Sequence, residues 1–173
     1  MTETLSPALP PDIEAAIPRV LRRAFDLGLS LVTAESCTGG LLASVLTDVD
    51  GLGRVFERGF VVYSPEAKRD ILGVPQALLD SVGPVSEPVA RAMAEGALAR
   101  SEGHLAIAVT GFAGPAGPDE PQGLVHFALA TRGGPTAHRR AHFGKVDRGA
   151  GRIACLRTAL DLIEQVLATP ADL

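Results

Sequence analysis

A serine and a cysteine, Ser36-Cys37, stand between a short apolar run and a pair of glycines in Leu29-Ser-Leu-Val-Thr-Ala-Glu-Ser-Cys-Thr-Gly-Gly-Leu-Leu42. Both side chains are possible nucleophiles. The stretch reads as a buried strand that turns sharply into a helix, and such a turn offers backbone N–H groups and the positive end of a helix dipole to whatever it faces. That suits a phosphate; it also suits a serine attacking a carbonyl whose oxygen becomes negative. The pattern is neither G-x-S-x-G nor a Walker A loop. Serine needs a base, and none of the four histidines suggests one, since His104 precedes a strand and His126, His138 and His142 alternate along strands. A lysine whose pKa is lowered by burial can serve instead. Lys68 lies five residues beyond Tyr63, the sole tyrosine, where a strand end and the next helical turn could face one pocket. Spacing alone leaves plainer readings open: Lys68 solvated, Tyr63 packed in a strand, Ser36 a helix N-cap. Cys37 is a rival nucleophile, acidified at a helix start but without a His or Asn partner. Glu35 is either a buried residue orienting the turn or a surface charge.

Two further groups point to a ligand. Thr110-Gly111 and Gly114 end an apolar run and open a loop of Gly and Pro, where missing side chains let backbone approach a phosphate or sugar. Arg148 and Arg152 are four apart on one face of the last helix and could clamp a phosphate.

The elements that must position these residues follow from periodicity. Apolar spacing predicts a helix over 12–27, ended by Gly28, then a strand over 30–34 and a helix over 38–47. A second strand is expected over 56–63, and Ser64-Pro65 starts a helix that ends near Leu72-Gly73. A short helix over 76–81 and a long one over 86–101, capped by Ser86, precede the continuous apolar run 105–110, read as a central strand buried on both faces. Strands over 123–131 and 137–143 flank a Gly133-Gly134 turn, and a helix over 147–167 closes the chain. Alternating helices and strands followed by two consecutive strands predict one three-layer α/β/α domain with a mixed, mostly parallel sheet, from residue 12 to 173, after a flexible segment 1–11.

The 173 residues, 46% of them hydrophobic, suffice for one full core. A net charge of −4 argues against broad nucleic-acid binding. No apolar run is long enough to span a membrane, and no signal peptide is expected. Two distant cysteines and scattered histidines give no metal spacing, so free thiols in a cytoplasmic protein are expected.

Together, Ala34-Glu-Ser-Cys-Thr-Gly-Gly40, Gly59-Phe-Val-Val-Tyr-Ser-Pro-Glu-Ala-Lys68, Val85-Ser-Glu87 with Met93-Ala-Glu-Gly-Ala97, and Val109-Thr-Gly-Phe-Ala-Gly-Pro115 resemble the C-terminal domain of CinA-type competence/damage-inducible proteins, the nicotinamide-nucleotide amidohydrolase family. The resemblance covers about Ile13 to Leu167 and implies hydrolysis of the carboxamide of nicotinamide mononucleotide to nicotinic acid mononucleotide and ammonia, without metal or cofactor. It implies Ser36 as nucleophile, with Lys68 taking its proton directly or through Tyr63. Thr38, Gly39 and Gly40 would bind the substrate, with backbone N–H groups near Thr38 and Gly39 holding the oxyanion. Thr110 and Gly111 fall in the nucleotide-binding loop, and Arg148 and Arg152 match basic residues before the last helix. A stand-alone form and a homodimer or higher homo-oligomer are expected, with a small nucleotide as the partner. The rival reading is a non-catalytic nucleotide-binding module linked to competence or the DNA-damage response. The chain departs from the family pattern at Val146, where Gly often precedes Asp-Arg, and at Pro84 and Pro88 around Val85-Ser-Glu87.

Overall fold

In a computed structural model, residues 9–114, 117 and 120–169 are described. The elements run α1 (Pro11–Asp26), β1 (Leu31–Glu35), α2 (Leu41–Leu46), a 3₁₀ turn (Gly53–Val55), β2 (Phe56–Val61), α3 (Pro65–Leu72), α4 (Gln76–Val82), α5 (Glu87–Ala99), β3 (Leu105–Gly111), β4 (Leu124–Thr131), β5 (Thr136–His142) and α6 (Arg148–Leu167). Of the expected flexible segment 1–11, residues 1–8 lie outside the described residues, and Pro11 already opens α1.

The sheet order is β2-β1-β3-β4-β5. β1 pairs in parallel with both β2 and β3, and β4 and β5 complete the sheet antiparallel. The two faces differ in side-chain size. Leu31, Leu105, Ile107, Val109, Phe127 and Leu129 pack under α1, α2 and α6. The opposite face is floored mainly by alanines, Ala34, Ala106, Ala108, Ala128 and Ala130, which pack with Val89, Met93 and Ala97 of α5. Large residues on one side and small on the other are what period-two alternation in β3 and β4 encodes. The expected three-layer α/β/α domain with a mixed sheet is what the chain forms.

This topology gathers strand ends. Because β2, β1 and β3 are parallel, their C-terminal ends lie side by side, with Glu35 opposite both Val61 and Val109. α2 returns on one face and α3 to α5 on the other, so the crevice opens where the connections diverge, at the carboxyl edge of β1 and β3.

Several expected boundaries move. The second strand ends at Val61, two residues short of Tyr63. The helix after Ser36 begins at Leu41, because Gly39 and Gly40 both hold positive φ, +64° and +94°. Ser86 precedes α5 without capping it; its hydroxyl donates to the Gly83 carbonyl. Ser64 and Asp147 do cap α3 and α6, accepting from the Ala67 and Ala150 N–H groups.

Gly96 sets how closely α5 crosses the end of α3: a Cβ there would lie 2.1 Å from the Leu72 carbonyl oxygen. In a solvated helix, Gly→Ala gains about 1 kcal/mol. Here Gly96→Ala is expected to lose ~1–3 kcal/mol through overpacking, read as a lower urea midpoint at unchanged slope. A raised midpoint would show that the two helices do not meet at this point.

Candidate active site

The site is built first from a carboxylate. Glu35, the last residue of β1, is fully buried. Its Oε2 accepts the Gly40 and Leu42 N–H groups at 3.1 and 3.0 Å, and its Oε1 accepts that of Ala43 at 2.8 Å. The opening N–H groups of α2 are therefore taken by Glu35. They are not open to a phosphate, and Ser36 does not cap the helix. The turn between them is closed by Gly39 N–H to the Ser36 carbonyl and by Leu41 N–H to that of Thr38. Neither the Gly39 nor the Gly40 N–H is left for an oxyanion, which corrects the expectation for Gly39. The Cys37 and Thr38 N–H groups are the turn's remaining donors.

Ser36, 6% exposed, sits at the mouth of a cavity of about 260 Å³. Lys68 reaches it from α3. The lysine is 1% exposed, yet no carboxylate is among its hydrogen-bond partners. Its Nζ lies 2.9 Å from Ser36 Oγ, and 3.1 Å from each of the Val62 and Tyr63 carbonyl oxygens. Burial pushes its pKa down from 10.5 to about 8, with the charge of Cys37 pulling weakly the other way. Charged, the amine donates to all three acceptors, the Ser36 hydroxyl and the two carbonyls; once it loses a proton it keeps both carbonyl bonds and has a lone pair free for the serine hydroxyl.

Tyr63 enters differently from its expected part. It reaches Lys68 through its carbonyl, while its side chain is 66% exposed at the cavity rim. The Ser36–Lys68 contact is direct. Thr110 is buried and donates its hydroxyl to the Pro84 carbonyl at 2.8 Å, so it anchors the cavity wall of Pro84 and Val85. Pro84, a departure from the family pattern, serves here through its carbonyl. Gly111 still belongs to the β3–β4 ladder, where a Cβ would lie 2.6 Å from the Leu124 oxygen. The loop proper starts at Phe112, whose N–H and carbonyl are both bonded to the approach to β4. Residues 115, 116, 118 and 119 of the Gly/Pro loop lie outside the described residues.

The two arginines part company. Arg148 lines the cavity; Arg152 turns to the carbonyl of Cys37, 3.2 Å from its Nε. The segment before α6 is tied at Val146, whose carbonyl accepts the Gln122 side-chain N–H at 3.2 Å. Cys37 is also turned inward, hydrogen-bonded to Cys155 of α6. That bond favours negative charge on Cys37, and with burial it pushes the Cys155 thiol up. None of the histidines lines the cavity. Glu120 does line it, and the sequence offered no signal for it beyond an acidic pair, Asp119-Glu120, in a proline-rich loop. Among the described residues no cluster of His, Cys, Asp and Glu suited to a metal ion occurs, and no helix is long and apolar enough to cross a membrane.

Comparison with known proteins gives a consistent answer. The family model of the CinA C-terminal domain matches residues 14–167. A CinA-like protein of Geobacter sulfurreducens is 46% identical over 159 residues, covering 91% of this chain and 37% of its own length. A CinA-like protein of Akkermansia muciniphila is 56% identical over 110 residues, 62% of this chain and 27% of its own length. The chain thus spans about a third of the length of such curated relatives. Among solved structures, competence/damage inducible protein CihA of Agrobacterium tumefaciens superposes with a TM-score of 0.88 at 44% identity, covering 97% of this chain and 99% of that one. A competence-damaged protein (CinA) superfamily protein of Escherichia coli superposes with a TM-score of 0.84 at 36% identity, covering 89% and 90%.

The buried lysine has a measurable consequence for stability. With a native pKa of about 8 against 10.5, the unfolded chain binds the proton that the native state releases between these values, so stability rises with pH across that window. The change is worth roughly 3 kcal/mol at ~1.4 kcal/mol per pKa unit. Lys68→Met removes this term. Its Tm relative to wild type should therefore be higher at pH 7 than at pH 10. An offset independent of pH would mean that Lys68 titrates as an ordinary solvated amine.

Proposed function

The chain belongs to the family of the CinA C-terminal domain, and from that premise we propose that it is an amidohydrolase converting nicotinamide mononucleotide and water into nicotinic acid mononucleotide and ammonia. The observation that carries the reading is the direct 2.9 Å contact between Ser36 Oγ and a buried lysine amine that has no carboxylate among its hydrogen-bond partners in the described residues. A buried amine beside a serine is costly to a fold and useful to acyl transfer, because it can accept a proton near neutral pH.

Neutral Lys68 takes the Ser36 proton as Oγ attacks the carboxamide carbon. The Cys37 and Thr38 N–H groups face the oxygen that becomes negative. Lys68 then returns its proton to the departing nitrogen, and the C–N bond breaks to give ammonia and a nicotinoyl ester on Ser36. Lys68 takes a proton from water as it attacks that ester, then gives it to Ser36 Oγ as the bond to the acid breaks. Arg148 receives the phosphate. The exposed ring of Tyr63 is placed to stack on the pyridinium, an aromatic face meeting a cation. The positive ring makes its own carboxamide more electrophilic, which favours this substrate over a plain amide.

Ammonia release from nicotinamide mononucleotide by the purified chain tests the reaction. Ser36→Ala should abolish it in a protein that still melts cooperatively, and Cys37→Ala should keep most of it. kcat/KM should climb with pH and level off above about 8, as the Lys68 ammonium loses its proton. Saturable binding with no ammonia released would favour a non-catalytic nucleotide-binding module. Loss of activity in Cys37→Ala on the scale of Ser36→Ala would move the nucleophile to sulfur.

The phosphate supplies a separate test. The riboside lacks it, and charge-assisted hydrogen bonds of ~1.5–3 kcal/mol correspond to a preference for the nucleotide of about 10–100-fold in kcat/KM. Arg148→Ala should erase most of that preference while the riboside rate changes little. Equal kcat/KM for nucleotide and riboside in the wild-type protein would exclude Arg148 as a phosphate ligand.

A further inference from the structure

Every turn carbonyl from Ser36 to Thr38 has a partner, and only one of those partners comes from a distant part of the chain. Ser36 and Thr38 carbonyls accept N–H groups of Gly39 and Leu41. The Cys37 carbonyl, between them, accepts the Nε–H of Arg152. A peptide unit is planar and trans, so its carbonyl and the next N–H point in opposite directions, and no cis peptide occurs among the described residues. Fixing the Cys37 carbonyl therefore fixes the Thr38 N–H. The same guanidinium stands next to Gly39, with its Nη2 3.4 Å from where a Cβ would be. Its own helix is closely packed against the segment just after β3: a Cβ on Gly151 would lie 1.9 Å from the Ala113 carbonyl oxygen, and one on Gly114 would lie 3.0 Å from the Arg148 Cα.

We propose that Arg152 is a positioning residue for the acyl-transfer step, holding the Cys37–Thr38 peptide plane so that the Thr38 N–H stays aimed at the developing oxyanion, rather than a ligand for the substrate's phosphate. The inference rests on the serine acyl-transfer reading and divides the labour of two arginines that share a helical face. Arg148 meets the substrate. Arg152 never needs to touch it.

Arg152→Ala should lower kcat by ~10–100-fold, the scale of misplacement near the reacting atoms, with KM for nicotinamide mononucleotide changed by less than about threefold and the nucleotide-over-riboside preference intact. Guanidinium ion should restore part of the lost kcat. Arg152→Lys, which keeps the charge without the planar fork, should fall between and carries the same readouts if the alanine variant does not fold. A second arm needs no amide substrate. A fluorophosphonate bonds its phosphorus to Ser36 Oγ, fluoride leaves, Lys68 takes the proton, and the P=O oxygen occupies the oxyanion position. Labelling of Ser36 should slow by ~10-fold or more in Arg152→Ala. If wild type labels at Ser36 yet releases no ammonia, the deamidase reading falls, and slowed labelling still supports the role of Arg152. Labelling as fast in the variant as in wild type would overturn that role. So would loss of the nucleotide preference at unchanged kcat, which would return Arg152 to the phosphate.

Discussion

The site depends on one buried carboxylate. Glu35 spends both oxygens on three N–H groups of the helix that follows its own strand. A helix start normally leaves its first N–H groups in need of partners, and Glu35 supplies them for α2, whose Leu42, Val45 and Leu46 are packed in the core. By answering them from the end of β1, Glu35 ties strand to helix across a tight turn and obliges residues 36–40 to bulge outward. Two glycines at positive φ are the price of that path. Ser36 is carried at the start of the bulge, where the sheet delivers it to the carboxyl edge beside β3. Without the carboxylate, the dipole of α2 would face the crevice unanswered, and the turn would have no reason to keep one shape.

A second constraint works with the first. The negative charge sits on the large-residue face of the sheet under α2, and the positive group comes from α3 on the other face. The sheet edge lies between them, and Glu35 is not among the hydrogen-bond partners of Lys68. A salt bridge would hold Lys68 charged and idle. Its partners are instead two carbonyls and a hydroxyl, which satisfy the amine without fixing its proton.

The layers of the fold were open to reading because they follow from local rules. A continuous apolar run marked β3 as a central strand, Ser64-Pro65 marked a helix start, and Gly28 and Gly73 marked helix ends. The site residues Ser36 and Lys68 could be named from type and position, and the motifs that resemble a family narrowed the choice. What stayed hidden depends on side chains reaching across the fold. Glu35 could be offered as a buried residue orienting the turn, but its reach to an N–H eight residues away is one no capping pattern describes. Thr110 is offered by its strand as a ligand group, but the Pro84 carbonyl claims its hydroxyl. Arg148 and Arg152 look equivalent at i and i+4, and only the tertiary position of the Ser36–Gly40 turn separates them. Tyr63 suggests a phenol relay by type, and its contribution to Lys68 is a carbonyl that any residue would carry.

That last point alters what the segment must preserve. The two acceptors that hold Lys68 beside Val62 and Tyr63 belong to the main chain, so changes of side chain at those positions leave the anchorage in place. Spacing is another matter. One residue inserted or deleted between 63 and 68 would rotate the lysine about 100° around the axis of α3 and carry its amine away from the serine altogether. For the chemistry of this stretch, the count of residues is a stricter requirement than their identity, and a gap there in a related chain would signal a lost base more surely than any single substitution.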